Sequence, residues 1–152
     1  MTGPTASEIP NHALEPFTIL IGEWTTLGSH PMLPGMTFHG RTSFDWFEGG
    51  AFLIMRSEID EPEIPNGIAI FGSDDAQETH HMLYFDDRGV SRLYEVSLRD
   101  DIFKWWRDAP GFAQRFDIRI VEDGTTMIGE GEFCRDGSLW EKDLALRYTR
   151  VR

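Results

Sequence analysis

The sequence predicts an all-β protein: a single closed, antiparallel, up-and-down barrel of about ten strands, preceded by a short helical turn. Three observations carry the prediction. First, from Glu48 onward a turn signal recurs about every ten residues: Gly49-Gly50, Pro65-Asn66-Gly67, Asp74-Asp75, Asp86-Asp87-Arg88-Gly89, Asp100-Asp101, Pro110-Gly111, Asp123-Gly124 and Asp136-Gly137. Gly and Asn tolerate positive φ, Asp hydrogen-bonds its own turn and Pro presets φ, so each signal has a mechanism. Second, the stretches between the signals are rich in aromatic and β-branched residues and alternate with period two. Third, no long amphipathic helix, low-complexity tract or internal repeat interrupts them. A meander of this length removes its exposed edges best by closing on itself. An immunoglobulin-like sandwich is the competing fold, but its crossovers need longer links than those found after Glu48.

Residues 1–10 are small, polar and proline-containing and are expected to form a flexible arm; the barrel domain is expected to span 11–152. Asn11 is placed as the cap of a helical turn over His12-Ala13-Leu14-Glu15, which Pro16 should end, and which would close one end of the barrel. The first strand is placed to start at Gly22-Glu23-Trp24. The loop Pro31-Met-Leu-Pro-Gly-Met36 comes next, and then strands at 37–48, 51–60, 67–73, 79–86, 90–98, 102–108, 112–121, 125–133 and 139–150.

Alternation assigns faces. Phe38, Gly40, Thr42, Phe44 and Trp46 share one side and are expected inside; His39, Arg41, Ser43 and Asp45 share the other. Trp105 and Trp106 must face opposite ways. In the last strand Trp140, Lys142, Leu144, Leu146 and Tyr148 oppose Leu139, Glu141, Asp143, Ala145 and Arg147. Charge therefore falls on or beside several apolar faces, which a filled core would exclude and a ligand cavity would accept.

The chain has 152 residues, enough for one domain with a substantial core. Its net charge of −12 opposes binding to nucleic acid or to an anionic membrane surface. Cys134 is the single cysteine, so no intrachain disulfide can form. The N-terminal segment lacks a basic and apolar leader, and a cytoplasmic location is expected. A homodimer is compatible with these readings.

Several residue groups resemble a known family. Gly22-Glu23-Trp24 at the head of the first strand is a Gly-x-Trp signature similar to that of lipocalins and fatty-acid-binding proteins of the calycin type. With it stand His81-Met-Leu-Tyr-Phe-Asp-Asp-Arg-Gly89, Arg92-Leu-Tyr-Glu95, Gln114-Arg115-Phe116, Asp136-Gly-Ser-Leu-Trp-Glu-Lys-Asp143 and Tyr148-Thr-Arg150. Together, from about Leu14 onward, they resemble small bacterial lipocalin-like domains. The resemblance implies a barrel with a cavity, and a basic side chain of the last strand near Trp24, supplied by Arg147 or Arg150. The same architecture is shared with nitrobindins, which hold haem through a histidine near the start of the final strand. Here Glu141-Lys142-Asp143-Leu144 offers no histidine, and none occurs after His81.

The chemistry-bearing residues support binding over catalysis. His80 and His81 are adjacent on a strand and point to opposite faces, so they cannot share a metal without a bulge; His30 and His39 are their possible companions. Cys134 is most simply a small hydrophobe beside a turn. No Gly-x-Ser-x-Gly elbow occurs, and Gly129-Glu-Gly131 reads as a bend in a barrel wall rather than a phosphate loop. The expected function is binding of a small, largely apolar molecule in the interior. Its expected site is drawn from Trp24, His39, Trp46, Arg56, His80, Tyr84, Tyr94, Trp106, Arg115 and Lys142. The alternatives are a haem protein of nitrobindin type, or a small enzyme using His39, His80 or His81 as general base. A histidine beside a carboxylate in the cavity favours the enzyme; an apolar cavity without such a pair favours binding.

Overall fold

The computed structural model describes residues 9–152, so most of the expected N-terminal arm lies outside the described residues. Ten antiparallel strands form one closed barrel: β1 (Gly22–Ser29), β2 (Phe38–Phe47), β3 (Phe52–Ile59), β4 (Gly67–Asp74), β5 (Thr79–Asp86), β6 (Ser91–Arg99), β7 (Ile102–Arg107), β8 (Ala113–Val121), β9 (Thr126–Cys134) and β10 (Trp140–Arg150). Each strand pairs with its sequence neighbours, and β1 pairs with β10 to close the wall, Trp24 standing opposite Arg150 and Thr26 opposite Tyr148. The strand positions agree with the turn rhythm to within a residue or two.

A 3-10 helix, His12–Leu20, precedes the barrel. Asn11 caps it as expected, its side-chain oxygen accepting from the Ala13 amide at 3.0 Å. Pro16 does not end it, however. Proline removes only its own N–H, and Leu14, Phe17 and Leu20, spaced three apart, are all fully buried. That spacing matches the three-residue turn of a 3-10 helix, so tertiary packing carries the element past the proline.

This helix plugs one end of the barrel. Phe17 sits among Phe71, Phe103 and His80, its ring centroid 4.9 Å from the histidine ring. Below it Phe44, Phe71 and Phe103 pack against one another. The Trp24 indole donates to the Leu20 carbonyl at 2.9 Å. Arg150 completes the lock: its guanidinium lies 4.2 Å over the Trp24 ring and donates to the carbonyls of Gly124 at 3.0 Å, Ile21 at 2.7 Å and Ile19. Of the two arginines implied for this role, Arg150 takes it; Arg147 stands opposite Leu27 on the solvent side.

The alternation expected for β2 is observed, with Phe38, Gly40, Thr42 and Phe44 buried and His39 and Arg41 exposed. The last strand departs from simple parity. A bulge lies between Lys142 and Ala145, where the pairing with β9 shifts by one residue. An extra residue rotates the remainder of the strand, so Leu144, Leu146 and Tyr148 point inward while Lys142 is turned out and Asp143 turns toward the interior. Gly129 and Gly131 of β9 have a packing reason. A Cβ at either would lie 2.5 or 2.8 Å from the Phe116 ring, which crosses over them. Outside, Ile68, Leu83, Phe85 and Leu93 on β4, β5 and β6 form an exposed apolar strip. No helix among the described residues is long and apolar enough to cross a membrane.

Candidate functional site

The helix fills one end of the barrel, and the other end is open. There the inner wall encloses a cavity of about 350 Å³. Its apolar lining comes from Met55, Ile59, Ala69, Met82, Trp105, Phe112, Phe116, Leu144 and Leu146. Trp105 and Phe116 form a flat panel, stacked 4.8 Å apart and only 7° from parallel. The glycines of β9 exist to admit that Phe116 ring, so the sequence Gly129-Glu-Gly131 shapes the cavity wall at one remove.

Polar groups converge on this chamber from three sides. On β5, Tyr84 donates its hydroxyl to Asp86 at 2.7 Å, and Arg88 donates to the same carboxylate at 2.7 and 3.3 Å. Burial alone would raise the Asp86 pKa, but the hydrogen bonds from Arg88 and Tyr84 overcome it and hold the carboxyl at about 2. Burial, reinforced by the neighbouring Asp86, pushes the Tyr84 phenol well above its ordinary value, so it remains a proton donor. Because the folded-state pKa of Asp86 is depressed, its contribution to stability is fully present above the unfolded value of 3.8 and is lost as pH falls toward 2. Asp86→Asn is therefore expected to lower neutral-pH stability and flatten its dependence between pH 4 and 2, read as denaturant midpoints across that window. An unchanged acid limb would remove Asp86 from that role.

On β6 and β8, Gln114 Oε1 accepts from the Tyr94 hydroxyl at 2.7 Å and from Arg92 at 3.1 Å. Arg92 also rests over the Phe112 ring, 5.2 Å from its centroid, and Arg107 lies 6.0 Å from the centroid of Tyr94. Burial raises the Tyr94 pKa against the opposing pull of the two arginines.

On the third side, His30 Nε2 meets Asp143 Oδ1 at 2.7 Å, both lining the cavity. The other ring nitrogen, Nδ1, accepts from the Met32 amide at 3.0 Å. An N–H donor at Nδ1 places the ring proton on Nε2, directed at Asp143. Both nitrogens are thus committed, and no lone pair faces a substrate. The pair ties the loop after β1 to the β10 bulge. A general base needs one nitrogen toward the reacting proton, and this geometry leaves none. Among the described residues His30 is the one histidine lining the chamber, and both of its ring nitrogens are engaged by protein groups.

Deeper in the wall, Tyr148 lines the cavity with its hydroxyl fully buried and without a protein partner. Burial pushes its pKa far up, so the group is a neutral donor. Thr26, directly opposite it on β1, and Thr42 on β2 carry unpartnered buried hydroxyls as well. An unsatisfied buried hydroxyl costs about 1–3 kcal/mol. Tyr148→Phe is accordingly expected to stabilise the ligand-free protein by about 1 kcal/mol in urea unfolding. A loss of that size would mean that the hydroxyl has a hydrogen-bond partner.

Of the ten expected site residues, Tyr84 and Tyr94 line the cavity. Trp24, Trp46 and His80 belong to the plugged end; His80 Nε2 is held by the Ala13 carbonyl at 2.6 Å. His39 and Lys142 point outward and are exposed. Trp106 lies on the outer face of β7, because its neighbour Trp105 takes the inner one. Arg115 is outside too, paired with Glu132 at 2.9 Å and packed 3.8 Å over Trp140. Arg56 borders a shallow outer groove with Glu58, Asn66 and Phe85. The expected site did not include His30, Trp105, Gln114, Asp143 or Tyr148, all of which line the cavity. Alternation alone could have found Gln114, since it shares a face with Phe116.

The geometry defines a closed ten-stranded up-and-down β-barrel with one plugged end and one chambered end. No family model and no curated protein matches the chain. Among solved structures, it is similar to the crystal structure of Rv2717c from M. tuberculosis, with a TM-score of 0.66 and 15% identity over 93% of this chain and 98% of that one. At that identity the likeness shows a shared barrel fold.

Proposed function

We propose that the protein binds a small, largely apolar molecule in the open end of its barrel. The observation that carries this reading is the chamber itself: about 350 Å³ of space walled by aromatic and aliphatic side chains, in a barrel whose other end is tightly packed. Protein interiors rarely leave such space unfilled, and binding pockets are typically concave and apolar with a few converging polar groups. Hydrophobic burial supplies most of the affinity, and the Tyr148, Tyr94 and Gln114 groups set orientation. The His30–Asp143 pair is the observation that favours catalysis, and its engaged nitrogens favour a structural tie instead.

Titration with N-phenyl-1-naphthylamine, a neutral probe that fluoresces when it leaves water, tests the reading. Saturable binding of one probe per chain is expected, abolished by Ser57→Trp, which fills the chamber from β3. No saturable signal from the folded protein, or equal binding by Ser57→Trp, overturns it.

A further inference from the structure

Resting on that reading, we propose that the bound molecule is an organic anion, with an aromatic or other flat apolar body against the Trp105–Phe116 panel and a carboxylate-type head at Arg92 and Gln114. Alternation places Arg92 on the inner side of β6 with Tyr94 and Val96, and Arg107 on the inner side of β7 with Phe103 and Trp105. Cross-strand pairing sets Arg107 beside Gln114. Two guanidinium groups and one amide are thus gathered on three consecutive strands at the open end.

What these groups still have to offer is donors. The single carbonyl oxygen of Gln114 already accepts from both Tyr94 and Arg92, so its amide nitrogen is the part left for the chamber. Arg92 donates one of its five N–H groups to Gln114 and is held in place by Phe112. Arg107 has a buried Nε without an acceptor. Among the described residues, no carboxylate lies within ion-pair distance of Arg92 or Arg107. The carboxylates around the chamber are otherwise occupied or peripheral. Asp86 is held by Tyr84 and Arg88, Asp143 is held by His30, and Glu63 is exposed on the rim. A cluster rich in unspent donors, preorganised by stacking and bearing uncompensated positive charge, selects a planar anion. It does so inside a chain whose net charge is −12, where an inward pair of unpaired arginines has no evident surface role.

Calorimetric titration with sodium 1-naphthoate and with 1-naphthamide tests this, because the two share rings and differ in the charge of the head. The naphthoate is expected to bind about tenfold more tightly. Arg92→Met should remove that advantage while changing naphthamide affinity less than about twofold. Gln114→Glu, which turns the amide donor into a carboxylate, should do the same and serves as the independent variant if Arg92→Met folds poorly by circular dichroism. Equal affinities in the wild type, or a naphthoate preference that survives both substitutions, overturn the anion proposal. If N-phenyl-1-naphthylamine binds but naphthoate does not, the anion proposal alone falls. If none of the three binds, the binding reading falls with it.

Discussion

Phe17→Ala is expected to lower the unfolding free energy by about 3–4 kcal/mol, the usual cost of emptying a buried aromatic site. Phe17 is fully buried and is the point at which the 3-10 helix enters the barrel, touching Phe71, Phe103 and His80. A 3-10 segment of nine residues has little stability of its own, so its attachment depends on this packing and on the arginine lock. The cavity left behind cannot collapse easily, because the surrounding rings project from strands fixed by pairing on both sides. Urea unfolding gives the magnitude. A loss below about 1 kcal/mol is incompatible with a plug packed in this way. Probe binding at the opposite end should survive the substitution under folding conditions, since none of the residues around Phe17 lines the chamber.

Arg150→Met comes second, with an expected loss of about 2–3 kcal/mol. Methionine keeps an apolar stem over Trp24 but leaves the carbonyls of Gly124, Ile21 and Ile19 without their donor. Charged hydrogen bonds contribute more than neutral ones, and all three converge from one planar group. Arg150→Lys should therefore recover only part of the loss, because an ammonium on a flexible stem cannot reproduce that fork or the flat contact with the indole. Arg147→Met on the outer face is the control, expected to stay within about 0.5 kcal/mol. If Arg147→Met proves the more damaging of the two, the placement of the lock is wrong.

The strands are legible because their causes are local. Each turn signal acts within four residues, and period-two alternation needs only neighbouring side chains, so both the strand positions and the inward set of β2 can be read directly. The Gly-x-Trp signature points to a basic partner from the last strand, and Arg150 supplies one. The site is less legible. Alternation tells which face a side chain takes but not how far along the barrel axis it lies. Trp24 and Trp46 are large aromatic groups turned away from water, as their patterns indicate, yet they stand at the plugged end. His39 shows the opposite error: its own alternation places it outside, and the chemistry of histidine as a residue type is no guide against that pattern. His30 and Asp143 are hidden for a further reason. One sits in a loop and the other at a bulge, where periodicity carries no information, and 113 residues separate them in sequence.

Strand number, strand order, the closed meander and the inward set of a regular strand such as β2 follow from the amino-acid order alone, because turn chemistry and side-chain alternation act over a few residues. Which end of the barrel is full and which is open is set by long-range packing. That outcome depends on where a proline-containing 3-10 helix docks, on the one-residue bulge that turns Asp143 inward, and on the pairing of β1 with β10 that brings Arg150 to Trp24. Each of these is a contact between residues far apart in the chain, settled by packing and closure rather than by local propensity.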